Sequence, residues 1–171
     1  MENKFFTELS RRLGKIGIQS ANRGDKRLDI FHNDQPTLWI TPKNNIFLFL
    51  DINDDPETEA LYQKAAEIAD EIFEYLDAMQ NAPLLRTMGL HEDFHLLADF
   101  GGAVLAGRKR EKELGYEFVT WVWDPKRSGV RNGHYFGDNF YGAKQDFAVR
   151  SGLIPKAQLF TPEQHRLRKA A

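Results

Sequence analysis

The chain has no cysteine, which removes disulfides, thiolate nucleophiles and Cys-ligated zinc or iron–sulfur centres and fits a reducing compartment. No apolar run approaches the roughly 18 residues needed to cross a bilayer. The opening MENKFFTELSRR lacks the apolar core and small-residue cleavage site of a secretory signal, so the cytoplasm is the expected location and no membrane partner is expected. An excess of one charge is also missing. With a net charge of −2, the chain as a whole is neither a polycation drawn to nucleic acid nor an acidic imitation of it. GGAVLAG lacks the lysine and hydroxyl ending of a phosphate-cradling loop, and there is no nucleophile elbow. Ser128, Ser151 and the five histidines form no recognisable triad.

What is present is a chain of 171 residues, 42% of them hydrophobic. That length suits one domain or two small lobes and allows roughly two-thirds of the unfolded surface to be buried. Charge is unevenly placed. Residues 1–49 hold 8 Lys/Arg against 5 Asp/Glu, residues 50–82 hold 1 against 10, and residues 83–171 hold 14 against 10.

Phe5, Leu9, Leu13 and Ile16 recur at helical spacing, which predicts an amphipathic first helix of about four turns, weakened by Gly14 and Gly17. Three β-rich runs follow at 27–32, 37–41 and 45–51. The turn signals Asn33-Asp34-Gln35-Pro36 and Pro42-Lys43-Asn44-Asn45 separate them into an antiparallel meander. A second helix is expected over 55–81, with Asp55 as its cap, Pro56 in its first position, and Leu61, Ala65, Ile68, Ile72 and Met79 on one stripe. Residues 82–89 read as a connection. Beyond it, Phe94, Leu96, Ala98 and Phe100 alternate, Gly101-Gly102 turns, and 103–110 returns as a partner strand. Residues 116–124 are apolar or aromatic on both faces, the mark of a central strand. A return strand over 131–137 and a helix over 139–151, ended by Gly152, complete the pattern. The order is α-β-β-β-α in 1–82, then β-β-β-β-α in 83–171, an α+β fold with helices packed on antiparallel sheet. One compact domain is expected. Whether the halves share a sheet or form two lobes stays open. Trp121, Phe118 and Phe147 are expected in the core where the central strand meets the last helix.

Two constellations bear on chemistry. HEDFH matches the H-E-x-x-H pattern of zinc hydrolases, with His91 and His95 as ligands and Glu92 as base, provided a helix aims both histidines at one metal. The alternation that follows argues for a turn and a strand. In a strand the two histidines would stand about 13 Å apart, too far to share an ion. The expectation is therefore no metal, no cofactor and no catalytic residue, with a metal-dependent hydrolase as the alternative.

The second constellation is the cationic and aromatic set Lys126, Arg127, Arg131, His134, Tyr135, Tyr141, Lys144 and Arg150, interleaved with glycines at 129, 133, 137 and 142. Cations meet phosphates, aromatics stack on bases or anchor proteins, and glycines admit a ligand close to the backbone. A plain hairpin, its aromatics in a core and its cations in water, uses the same residues. The acidic 54–77 stretch, with Lys64 as its one cation, reads as a solvated helix face or as a contact for a basic partner.

LLADFGGAVLAG, EFVTWVWD and HYFGDNFYGAKQDFAVRSGLIPKAQLFTPEQ, within a match of roughly 90–164, resemble an uncharacterised protein family carried on conjugative and integrative mobile elements of Gram-positive gut bacteria. The resemblance implies an accessory role in transfer, regulation or evasion of host defence. It supplies no catalytic residue. Together these readings lead to a non-enzymatic protein that binds a protein or nucleic acid through 131–150.

Overall fold

The computed structural model describes residues 4–49, 55–110 and 115–155. The fold is α+β, with two separate four-stranded antiparallel sheets. The chain divides into two compact units: Met1–Asn81 with Arg110–Gly115, and Ala82–Lys109 with Tyr116–Ala171.

In the first unit, α1 (Lys4–Lys15) precedes β1 (Ser20–Asn22), β2 (Leu28–His32), β3 (Gln35–Ile40) and β4 (Ile46–Leu48), and α2 (Pro56–Asn81) follows. β1 is an addition to the expected meander, because three residues are too few to carry an alternating pattern. The first hairpin turn is also tighter than expected. Asn33 and Asp34 both take positive φ, 48° and 62°, as a two-residue turn of matching twist requires, so Gln35 and Pro36 already belong to β3. Pro36 sits opposite Phe31, where the register shifts, a bulged position that tolerates its missing donor. Of the run expected over 45–51, Leu50 and Asp51 lie outside the described residues.

Leu28 pairs with Ile40, and Ile30 with Leu38. All four are wholly buried, as are Phe6, Leu9 and Leu13 of α1 and Ala65 and Ile72 of α2. α1 packs on both β1 and α2. Asp55 caps α2 as expected, accepting from the backbone N–H groups of Glu57 at 3.2 Å and Thr58 at 3.3 Å. The acidic face of α2 is only partly solvated. Glu71 is buried with Arg12 at 2.7 Å, and the buried Tyr75 hydroxyl donates to Glu8 at 2.8 Å while Arg11 grips the same carboxylate. Burial, with Glu8 beside it, pushes the Tyr75 phenol well above its usual value.

The second unit is a meander of β5 (His95–Phe100), β6 (Ala103–Lys109), β7 (Tyr116–Trp123) and β8 (Val130–Gly137), followed by α3 (Phe140–Arg150). β7 is an interior strand, as its two apolar faces require. Phe118 faces α3, where its ring meets Phe140 at 4.8 Å and Ala143 and Phe147 are also buried. Trp121 is buried as expected, 4% exposed, but on the other face. Alternation along β7 carries it away from Phe147 into a cluster with Leu85, Phe94, Val104, Ala106 and Val119. The connecting segment supplies that cover and is tied down by its backbone: the Leu85 N–H donates to the Phe94 carbonyl at 2.7 Å, and the Leu96 N–H donates to the Pro83 carbonyl at 2.8 Å. The interior strands β6 and β7 are thus covered on both faces.

α3 is capped by Asn139, whose side chain accepts from the Gly142 N–H at 2.8 Å. It ends where Gly152, at φ 78°, donates to Val149. At the β5–β6 turn, Gly101 has φ 56°, and a Cβ there would lie 2.1 Å from the Ser151 carbonyl oxygen. Only glycine permits the end of α3 to close on that turn.

Candidate binding surfaces

HEDFH does not lie on a helix. His91 to Phe94 are irregular, and His95 opens β5. The His95 ring nitrogen Nδ1 sits 2.9 Å from the Ala82 carbonyl, so it carries the proton and donates. Glu92 faces Arg108 at 3.8 Å. Among the described residues, no group of three or more His, Asp or Glu side chains is placed to hold a metal ion.

The cationic and aromatic set divides into several groups. At its centre is a polar cluster joining α3 to β7 and β8. His134 Nδ1 donates to Asp146, 3.1 Å from its nearer oxygen, and the Thr120 hydroxyl donates to the same carboxylate. Arg150 donates to the Thr120 carbonyl at 2.9 Å, the Thr120 hydroxyl at 2.8 Å and the Asn132 carbonyl at 2.6 Å. Thr120 is wholly buried. Its hydroxyl therefore needs partners, and Arg150 and Asp146 provide both directions of bonding. A bulge in the β7–β8 register and a left-handed Asn132, φ 54°, turn the Asn132 carbonyl toward Arg150. This arginine is a strut rather than a free ligand for phosphate.

Tyr141 and Lys144 occupy another place. At about 100° per residue they fall on one flank of the buried stripe of α3, and Asp146 and Arg150 fall on the other. The Lys144 ammonium lies 4.5 Å from the centre of the Tyr141 ring and 5.0 Å from that of Phe140. Arg127 is committed as well: it pairs with Asp99 of β5 and covers the Trp123 ring at 4.9 Å. Its turn is held by Asp124, which accepts from the Ser128 hydroxyl at 2.8 Å and the Ser128 N–H at 2.9 Å. Those bonds hold the Asp124 carboxyl below the usual carboxylate value. Lys126 is exposed at the tip of the same turn.

Arg131 and Tyr135 are exposed on β8, an edge strand. Tyr135 pairs with Val119, so it lies on the face opposite α3, with its ring edge-on to Trp121 at 6.1 Å. Gly133 makes room for this contact: a Cβ there would come 2.6 Å from the Trp121 indole nitrogen and 3.0 Å from the Tyr135 ring. Gly142 likewise leaves space for the Asn139 cap, 2.6 Å from where its Cβ would be. Both glycines serve contacts within the chain.

A second surface, in the first unit, escapes the sequence pattern of the meander. Strand register sets Asp29, Trp39 and Phe47 in one row across β2, β3 and β4, on the face opposite Leu28, Ile30, Leu38 and Ile40. Trp39 and Phe47 stack at 4.3 Å with 16° between their planes. The available signal was phase: Trp39 alternates with the buried Leu38 and Ile40, and Phe47 is its cross-strand partner, so a sheet with helices on one side leaves the pair outside.

No family model, curated protein or solved structure matches the chain.

Proposed function

We propose that the chain is a non-enzymatic binding protein whose second unit engages a protein partner along β8 and the β7–β8 turn, with Tyr135 as the anchor. The observation that carries this reading is Tyr135 itself, 62% exposed yet steadied against Trp121. An aromatic ring already held in place loses little freedom on binding, and such residues dominate interface energies. Lys126 is exposed in the preceding turn, whereas Arg131, opposite Val122, is exposed on the α3 face of the strand. Arg127 and Arg150 are engaged within the chain, which leaves few cations for a phosphate backbone at this surface and favours a protein over nucleic acid.

The proposed setting is cytoplasmic, as an accessory protein of a mobile element. The lack of cysteine and the resemblance over 90–164 support it. No helix among the described residues is long and apolar enough to cross a membrane. Tyr135→Ala should weaken a purified partner complex by about ten-fold or more, and a photoreactive phenylalanine at position 135 should cross-link to the partner where one at position 141 does not. Unchanged affinity in Tyr135→Ala would remove β8 from the interface.

A further inference from the structure

The open face of the first sheet carries a different chemistry. Phe47 is 44% exposed and lies nearly parallel on Trp39, so one side of its ring is occupied and the other is presented outward. The Arg27 guanidinium stands 5.6 Å from the centre of the Trp39 ring and 5.2 Å from that of Phe49. Asp29, only 2% exposed, holds Arg27 and Arg23 at 2.9 Å each. One buried carboxylate thereby orients two arginines whose side chains are 40% and 55% exposed, and it neutralises only one of them. Lys26 and Lys43 are exposed in the turns beside these strands. The surface is flat, aromatic and locally cationic, although the chain as a whole is slightly acidic.

We propose that this face binds single-stranded nucleic acid, with a base stacking on the outward side of Phe47 and phosphates meeting Arg23 and Arg27. A flat ligand with a π-face suits a parallel aromatic stack, and a chain that alternates bases with phosphates suits a stack bordered by arginines. A duplex keeps its base faces covered and meets only the cations. An apolar protein surface would use the rings and leave two oriented arginines without a counterpart. The proposal is independent of the Tyr135 surface.

The test uses the full chain with fluorescein-labelled twelve-residue oligouridylate and oligothymidylate, and a duplex of the same length, read by anisotropy across a salt series. Both single strands should bind, the duplex more weakly, and affinity should fall with salt. Phe47→Ala should weaken single-strand binding about five-fold or more. Phe47→Leu, which keeps apolar bulk and strand preference but loses the flat face, should do the same. Arg23→Gln should reduce the log–log salt slope by about 0.7, the loss of one phosphate contact, while Arg27 still satisfies Asp29. Tyr135→Ala should leave oligonucleotide binding unchanged. The idea fails if the wild-type chain does not bind single strands, if duplex binds equally well, or if both Phe47 variants retain full affinity. It fails too if Phe47→Leu binds normally and only Phe47→Ala is weak, since that pattern belongs to apolar packing rather than stacking.

Discussion

The two sheets use their aromatic residues in opposite ways. The second unit, where tryptophan, phenylalanine, tyrosine and cations crowd the sequence most densely, spends most of them internally: Trp121 against Phe94, Phe118 against Phe140, Arg127 over Trp123, and Arg150 beneath β8. The first unit has the sparser sequence, yet it leaves Trp39 and Phe47 stacked on an outer face with Arg27 beside them. The difference follows from layering. A sheet covered on both faces absorbs the side chains of its interior strands at nearly every position, whereas a sheet with helices on one side leaves alternate positions to water. Density in sequence is thus a poor guide to an interaction surface when the number of covering layers is unknown.

The largest test of this contrast compares two tryptophans. Trp121→Ala should cost about 3–5 kcal/mol, because it empties a packed cluster and removes an edge-on partner of Phe94. Trp39→Ala on the open face should cost only about 1 kcal/mol. Denaturant unfolding measures both, and equal losses would mean that the outer face of the first sheet is as buried as the second core.

The next effect separates structural cations from solvated ones. Arg150→Ala should destabilise by about 2–3 kcal/mol, since it strips the buried Thr120 hydroxyl and two carbonyls of a charged donor. Arg131→Ala, on an exposed position, should stay within about 0.5 kcal/mol. If thermal melts find the two alike, Arg150 is not a strut and the cluster at Thr120 does not depend on it.

A smaller and pH-dependent effect belongs to the first unit. Burial raises the Tyr75 phenol above its ordinary value of 10.0, so the protonated phenol favours the folded chain. Its contribution is fully present below pH 10.0. Above that, the unfolded chain releases the proton while the folded one retains it, and stability falls as pH rises. Tyr75→Phe should abolish that alkaline decline, at a cost of about 1–2 kcal/mol at neutral pH for the lost bond to Glu8. Urea midpoints across an alkaline pH series provide the check, and a decline that persists in the variant contradicts the assignment.

The smallest expected effect is on the acid side. Bonds from Thr58 and Glu57 lower the Asp55 carboxyl, and bonds from Ser128 lower that of Asp124, each from an ordinary value of 3.8. Both contributions are present above that pH and fade as pH falls through the lowered values. Asp55→Asn and Asp124→Asn should therefore flatten the acid limb of the stability profile. A steeper limb in either variant would mean that folding raises that carboxyl instead of lowering it.

Much of the architecture was legible because it rests on local chemistry. Asp55-Pro56 marks a helix start, Asn139 and Gly152 bracket α3, and strict alternation from Phe94 announces β5. β1 was hidden by its length, and the Asn33-Asp34 turn by the proline that follows it, which suggested a longer loop. The candidate surface was legible only in part. Composition identified the cations between Lys126 and Arg150, but their assignment depended on partners distant in sequence: Asp99 for Arg127, Thr120 and Asn132 for Arg150. Pattern alone does not reveal which cation a fold will consume. Trp121 illustrates the same limit within one strand, since its burial followed from composition while the face it occupies follows from parity with Phe118.

The close approach of Gly101 to Ser151 has a consequence for how the second unit comes together in time. The β5–β6 hairpin leaves the ribosome some way ahead of α3, because β7 and β8 lie between them in the chain, yet the helix that covers Leu105 and Phe118 arrives only with that last stretch. Throughout the interval, one side of a freshly paired sheet stands bare, a state prone to non-productive association. Gly101→Ala would prolong it by hindering the final closure, so its first symptom should be a poor yield of soluble chain during synthesis at elevated temperature.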